Sequence, residues 1–153
     1  MWNAELYQMN TLEDVVETLG GSRVLKDRSI RTFLDLDRIA HEGVPFQAFS
    51  RLVTIMDEPE SAVASGIGLA RTTLNRRREQ GRFGLDESQR VLRLGVILSM
   101  GKQAMGSVPA AARWLLKPNR ALGGRLPIEL LQTDFGGREV EAVLGRALLG
   151  GFS

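Results

Sequence analysis

Arg76, Arg77 and Arg78 follow one another directly in a chain whose net charge is only +2, just past Gly66, Gly68, Thr72 and Thr73. Guanidinium groups can fork onto guanine or clamp phosphates, and short hydroxyl or amide side chains can meet base edges where a helix backbone lies closest to them. Thr72, Thr73, Asn75 and Arg76 supply base-reading chemistry, and Arg71, Arg77, Arg78 and Arg82 supply phosphate-clamping chemistry. A run of like charges is ordinarily a solvated helix face, so the reading turns on what surrounds it. Catalytic chemistry is harder to assemble. His41 is the single histidine and sits at a helix end, there is no cysteine, and no serine or threonine has a base at recognisable spacing. Gly66-Ile67-Gly68 imitates half of a dinucleotide fingerprint, but no strand precedes it. The pairs Asp35 with Asp37 and Asp86 with Glu87 read as helix caps and solvated faces. No catalytic residue, metal ligand or cofactor is therefore assigned, and the chain is not expected to be an enzyme.

The elements that must position the arginines are legible just upstream. VASGIGLARTTLNR has the spacing of a helix-turn-helix: Val63, Ala64, Ile67, Leu69 and Leu74 anchor two helices, and Gly68 can adopt φ > 0 where the first ends. The second helix is expected from about Ala70 to Gln80. Its wheel turns Ala70 and Leu74 inward and Thr72, Thr73, Asn75, Arg76 and Glu79 outward, with Arg77 and Arg78 on the flanks. Ala70 stands where Ser or Thr usually accepts a free N–H, a loss of about 1 kcal/mol of local stability. Charge supports a polyanion partner. Residues 1–60 carry 6 Lys or Arg against 11 Asp or Glu, and residues 61–153 carry 14 against 7, so −5 and +7 are concealed in the total of +2. Such a patch attracts nucleic acid with a steep dependence on salt.

At 153 residues with 43% hydrophobic content the chain can bury one sizeable core or two small ones in contact. No apolar run reaches the ~20 residues of a membrane span, and the start MWNAELYQMN does not read as a signal peptide, so a soluble cytoplasmic protein is expected. Periodicity predicts helices nearly throughout, an all-α fold. TLEDVVETLGG is a short amphipathic helix, with Thr11 and Asp14 as a weak capping box. SRVLKDRS is loop or a short extended piece. IRTFLDLDRIAHEG is helical at least in its second half, and PFQAFSRLVTIMD is helical from Pro45. DESQRVLRLGVILSMGKQAMG is the longest helix, capped by Asp86, and its two-sided apolar centre predicts packing against its own domain and against something else. Then come VPAAARWLLKPN, ending before Pro118; the glycine turn RALGGRLP; LPIELLQTDF, a helix begun by Pro127; and GGREVEAVLGRALLGGFS, a last helix starting at Gly136 and Gly137 with Val140, Val143, Leu144 and Leu148 on one side, released at Gly150 and Gly151 to leave Phe152 as an aromatic anchor. The expected organisation is an N-terminal helical region at 1–43, a helix-turn-helix and dimerisation region at 44–100, and a C-terminal domain at 101–153, with a soft boundary near Gly101 to Gly106.

WLLKPNRALGGRLPIELLQTDFGGREVEAVLGRALLGGF resembles the C-terminal domain of the Xre/MbcA/ParS family of bacterial antitoxins: a Trp-Leu pair at Trp114 and Leu115, a PN-x-x-LGG turn at Pro118 to Gly124, a helix led by Pro127 with Leu130 and Leu131, then Thr133, Gly136 and a last helix closing near Gly150 and Phe152. LARTTLNRRREQGRFGLDESQRVLRL is similar to the family's helix-turn-helix and linker. Two departures are Ala70 in place of a serine-like cap and Asn75 where an aromatic is frequent. The resemblance implies an antitoxin that covers the active site of a partner toxin, most often a RES-domain enzyme that destroys NAD, and that represses its own promoter as a homodimer. It further implies toxin contacts from Trp114, Asn119, Arg120, Leu122, Gly123, Gly124, Arg146, Gly150, Phe152 and Ser153, and operator DNA contacts from the arginine helix. The alternative is a stand-alone helix-turn-helix regulator whose C-terminal helices serve dimerisation or ligand sensing.

Overall fold

A computed structural model describes residues 12–150, and all regular secondary structure among them is helical. α1 covers 12–18 and buries Leu12 and Val15; the expected cap Thr11 lies outside the described residues. SRVLKDRS departs from expectation. Gly21–Leu25 is a short helix, α2, opened by Gly20 in the left-handed region and closed by Lys26 at φ 57°. The paired glycines turn the chain sharply enough for one more helical turn to bury Leu25. Asp27 then accepts the N–H and hydroxyl of Ser29 and the guanidinium of Arg38. These bonds, those from Ser29 foremost, hold its carboxyl down at about 2.

α3 (Phe33–Glu42) starts where Asp35, one turn in, reaches back to accept the N–H groups of Arg31 and Thr32 at 2.8 and 2.9 Å. A carboxylate there satisfies donors that the helix leaves open. α4 (Phe46–Met56) follows Pro45, whose missing N–H is no loss at a helix start. Its Phe46 and Phe49 meet Phe83 at centroid distances of 5.2 and 5.9 Å, and the three rings form an aromatic knot. Backbone bonds from Phe46 to Gly81 and from Phe83 to Val44 tie the entry of α4 to the chain leaving the arginine helix.

α5 (Glu60–Gly66) and α6 (Arg71–Gln80) are the expected helix pair. α7 (Leu85–Met105) is the central shaft. Gly84, and not Asp86, holds its cap position; Asp86 lies within the first turn, where it favours the helix dipole and pairs with Arg90 at 2.8 Å. The two-sided apolar stretch is consumed within the chain. Val91, Leu94, Ile97 and Leu98 are at most 1% exposed, and α3, α8 and α10 lie against the shaft. The "something else" is thus the chain's own C-terminal half, and the pattern needs no second copy. α7 also runs unbroken through residues 100 and 101. Gly101 lies inside it, at a crossing so close that a Cβ would stand 2.6 Å from that of Ala111, while Gly106 ends the helix at φ 94°.

α8 (Val108–Leu115) is capped by Ser107, whose hydroxyl accepts from Ala110. Arg120–Leu122 form a 3-10 turn, α9 is Pro127–Leu130, and α10 is Asp134–Gly150. α10 begins earlier than the glycines foretold because the Thr133 hydroxyl accepts the N–H of Gly136 at 3.1 Å and opens the helix there. At its far end Gly150 is still helical, so it does not release the chain; glycine costs a helix only about 1 kcal/mol relative to alanine. Gly151, Phe152 and Ser153 lie outside the described residues. Among the described residues no helix is long and apolar enough to cross a membrane, and no group of three or more His, Cys, Asp or Glu could hold a metal ion.

Candidate nucleic-acid and partner interface

The turn between α5 and α6 is closed by its own backbone. The N–H of Leu69 donates to Ala64 at 2.8 Å and that of Gly68 to Ser65 at 3.0 Å, with Gly68 at φ 76°. This pair of bonds is the Schellman ending of a helix, and it requires a residue free of a Cβ penalty at Gly68. α6 leaves the turn at Ala70, which has extended backbone, offers no side-chain cap and is exposed, contrary to the inward placement read from the wheel. The anchoring is done by Leu69 and Leu74, 4% and 5% exposed. Between the two helices lies an open groove of 810 Å³, bordered by Glu60, Ala64, Gly68, Arg71 and Asn75.

Arg71, Thr72, Asn75 and Arg76 are exposed on α6, and Thr73 is half-buried beside Leu74. Arg71 and Arg76 make no ion pair or side-chain hydrogen bond among the described residues. The remaining arginines are tethered. Arg77 Nε donates to Glu87 at 2.7 Å and its Nη1 to Gln80 at 2.8 Å. Burial is the largest influence on Glu87 and opposes its charge, but the bond from Arg77, a backbone hydrogen bond and the charges of Arg77 and Arg76 together outweigh it and hold the carboxyl below its usual range. Arg78 forks onto Glu60 and lies over the Phe46 ring, 4.9 Å from its centroid; the Glu60 bonds raise its pKa further. Arg82 donates to the Gly43 carbonyl at 2.9 Å. The basic run therefore divides into an outward pair with neighbouring hydroxyl and amide groups, and three guanidiniums that brace α6 against α4, α5 and α7.

That division has a measurable result. Arg76→Ala is expected to weaken binding to a preferred duplex by ~1–3 kcal/mol and to relax its base preference, with the thermal midpoint unchanged. Arg77→Ala is expected to lower the thermal midpoint, because it leaves Glu87 without its partner. Fluorescence anisotropy on two duplexes, paired with thermal unfolding, separates the two behaviours.

The second group of expected contact residues lies around α8, the 3-10 turn and α10. Trp114 is half-buried on α8, Arg120, Gly123 and Gly124 are exposed, and Arg146 and Gly150 are exposed on α10. Asn119 and Leu122 are spent on the loop itself. Asn119 accepts the N–H of Ala121 with its side chain and pairs through its backbone with Arg125, while Leu122 is 8% exposed in the core. Phe152 and Ser153 are outside the described residues. The residue reading missed Phe135 and Leu149, 81% and 71% exposed on α10. A wheel through Val140, Val143 and Leu144 would have found Leu149, since it falls off that buried stripe. It also missed Arg90 and Gln132, which donate through Nη1 and Nη2 and through Nε2 to partners within the fold.

A model of the antitoxin Xre-like helix-turn-helix domain matches residues 35–95, and one of the antitoxin Xre/MbcA/ParS C-terminal toxin-binding domain matches residues 101–148. The chain is 33% identical over 97 residues to an antitoxin Xre of Yersinia enterocolitica, covering 62% of this chain and 66% of that protein. It is 30% identical over 120 residues to an antitoxin Xre of Photorhabdus laumondii, covering 72% and 76% of the two chains. A third antitoxin Xre, from Pseudomonas putida, is 37% identical over 60 residues, or 39% of this chain and 38% of that one.

Proposed function

The chain belongs to the Xre family of antitoxins, and from that premise we propose that it is the antitoxin of a type II toxin–antitoxin pair, acting on DNA with α6 and on a toxin with its C-terminal half. The observation that carries the DNA part is the exposed row Arg71, Thr72, Asn75 and Arg76, held outward while Arg77, Arg78 and Arg82 brace the helix. A helix in a major groove needs small polar groups near its start and long cations beside them, on a rigid mount. The missing side-chain cap at Ala70 leaves the first N–H groups of α6 for an acceptor from outside, and a DNA phosphate is such an acceptor.

The toxin part rests on the match of the C-terminal half to a toxin-binding domain and on the exposed surface of Arg120, Gly123, Gly124, Phe135, Arg146 and Leu149. The toxin is a RES-domain enzyme that consumes NAD, and the C-terminal half neutralises it by standing in its active-site mouth, without catalysis by the antitoxin. Working in the bacterial cytoplasm as a homodimer, the chain would set two α6 helices on the half-sites of a pseudo-palindromic operator in its own promoter. The proteins encoded beside this chain supply the test. One of them, induced alone, is expected to halt growth and deplete cellular NAD, and co-expression of this chain is expected to restore both. Repression of the promoter with no rescue from any neighbouring product would reduce the protein to a transcriptional regulator.

A further inference from the structure

The Schellman closure of α5 uses the carbonyls of Ala64 and Ser65, and leaves those of Gly66, Ile67 and Gly68 at the helix end in need of donors. None comes from the helix-turn-helix. Arg90 of α7 donates Nη1 to Gly68 at 2.9 Å and to Ile67 at 3.3 Å, and is steadied through Nη2 by Asp86. The Gly66 carbonyl is taken by Gln132, between α9 and α10, whose Nε2 donates to it at 3.0 Å across 66 residues of sequence. Apolar packing makes the same connection. Ile128 of α9 is fully buried, and its Cδ1 lies 2.8 Å from where a Cβ on Gly66 would stand. At Gly68 the equivalent space is filled by the Gln132 amide and the Arg90 guanidinium. The segment carrying Gln132 is itself held to the shaft, since Arg93 Nη1 donates to the Leu131 carbonyl at 2.7 Å.

We propose that Gln132 is a positioning residue for DNA reading: from the C-terminal half it fixes the α5–α6 turn and thereby the direction in which α6 presents Arg71, Thr72, Asn75 and Arg76. This rests on the reading of α6 as the groove-entering helix. Base-edge contacts demand sub-ångström placement, whereas phosphate attraction tolerates a loosened mount. Losing the Gln132 bond therefore damages discrimination between sequences more than attraction to DNA in general.

The experiment uses the full chain and two duplexes of equal length, one taken from its own promoter and one with the same bases scrambled. Gln132→Glu keeps the shape and removes the donor, and Gln132→Met removes it without adding charge; Arg76→Ala serves as the reference for lost reading. Both Gln132 variants are expected to bind the promoter duplex about tenfold more weakly, with scrambled-duplex affinity and salt dependence as in the parent chain and a thermal midpoint only a few degrees lower. Amide hydrogen exchange in the intact protein is expected to quicken at Gly68 to Leu74 and nowhere else, a readout independent of DNA. Parental discrimination and exchange in the Gln132 variants, beside lost discrimination in Arg76→Ala, would overturn the proposal and leave the reading helix standing. Equal weakening on both duplexes would overturn it in favour of a purely stabilising contact. A parent chain that binds both duplexes alike would remove the reading helix and this proposal together.

Discussion

A chain shortened to end at Leu148 is expected to leave its toxin unneutralised while binding the promoter as the full chain does. Val143, Leu144 and Gly145 are buried and stay in place, so the cut leaves the core intact. It takes away Leu149, an apolar side chain 71% exposed at the end of α10, together with Gly150 and the three residues that carry the expected aromatic anchor Phe152. A few apolar anchors usually dominate an interface, and a tail reaching into an enzyme's mouth concentrates its effect in them. Colony counts under toxin induction should fall to those of cells making the toxin alone. Operator affinity should hold within about twofold, as for a surface change distant from the contact. Full protection by the shortened chain would place the neutralising contacts elsewhere, on the 119–124 loop or on Phe135.

Phe49→Ala is expected to destabilise the protein by about 3–5 kcal/mol, lowering the thermal midpoint by roughly 10 °C. Phe49 is fully buried and sets its edge against Phe83 while tilting against Phe46 at 5.8 Å. Removing it opens a cavity in the aromatic knot that ties α4 to the chain leaving α6. Arg78 lies on Phe46 and Arg82 donates to Gly43, so the bracing of the arginine helix passes through the same knot. Operator binding should therefore fail at a lower temperature than in the parent, in step with loss of near-ultraviolet circular dichroism. Phe49→Leu, which keeps most of the volume, should cost less than about 1.5 kcal/mol. Similar midpoints for the two variants would mean that the knot carries little of the core's stability.

The arginine helix was legible because its signals are local. Gly68 can only be read as a stop, and Leu69 to Leu74 give the register within six residues. What each arginine does was hidden, since its partner lies far along the chain: Glu87 ten residues from Arg77, Glu60 eighteen from Arg78, Gly43 thirty-nine from Arg82. Charge alone does not distinguish a guanidinium that reaches outward from one already forked onto a carboxylate. α2 escaped notice because five residues are too few for a period to show. The start of α10 was obscured by Gly136 and Gly137, which read as a break, while the hydroxyl of Thr133 one turn earlier decides where the helix begins. The apolar centre of α7 was read with the right pattern, but its second face is covered by α8 and α10, and no rule of spacing announces that packing.

The unbroken course of α7 restricts how proteins of this shape can diverge. Twenty-one residues at about 1.5 Å each make a beam of roughly 31 Å with no hinge. One residue inserted in it would turn everything beyond by about 100°, swinging the buried stripe into water and pulling Gln132 away from Gly66. New side chains on the two proposed surfaces, or added length in the loops, would leave that beam unchanged. The length and pitch of the beam thus set the bearing of one surface relative to the other.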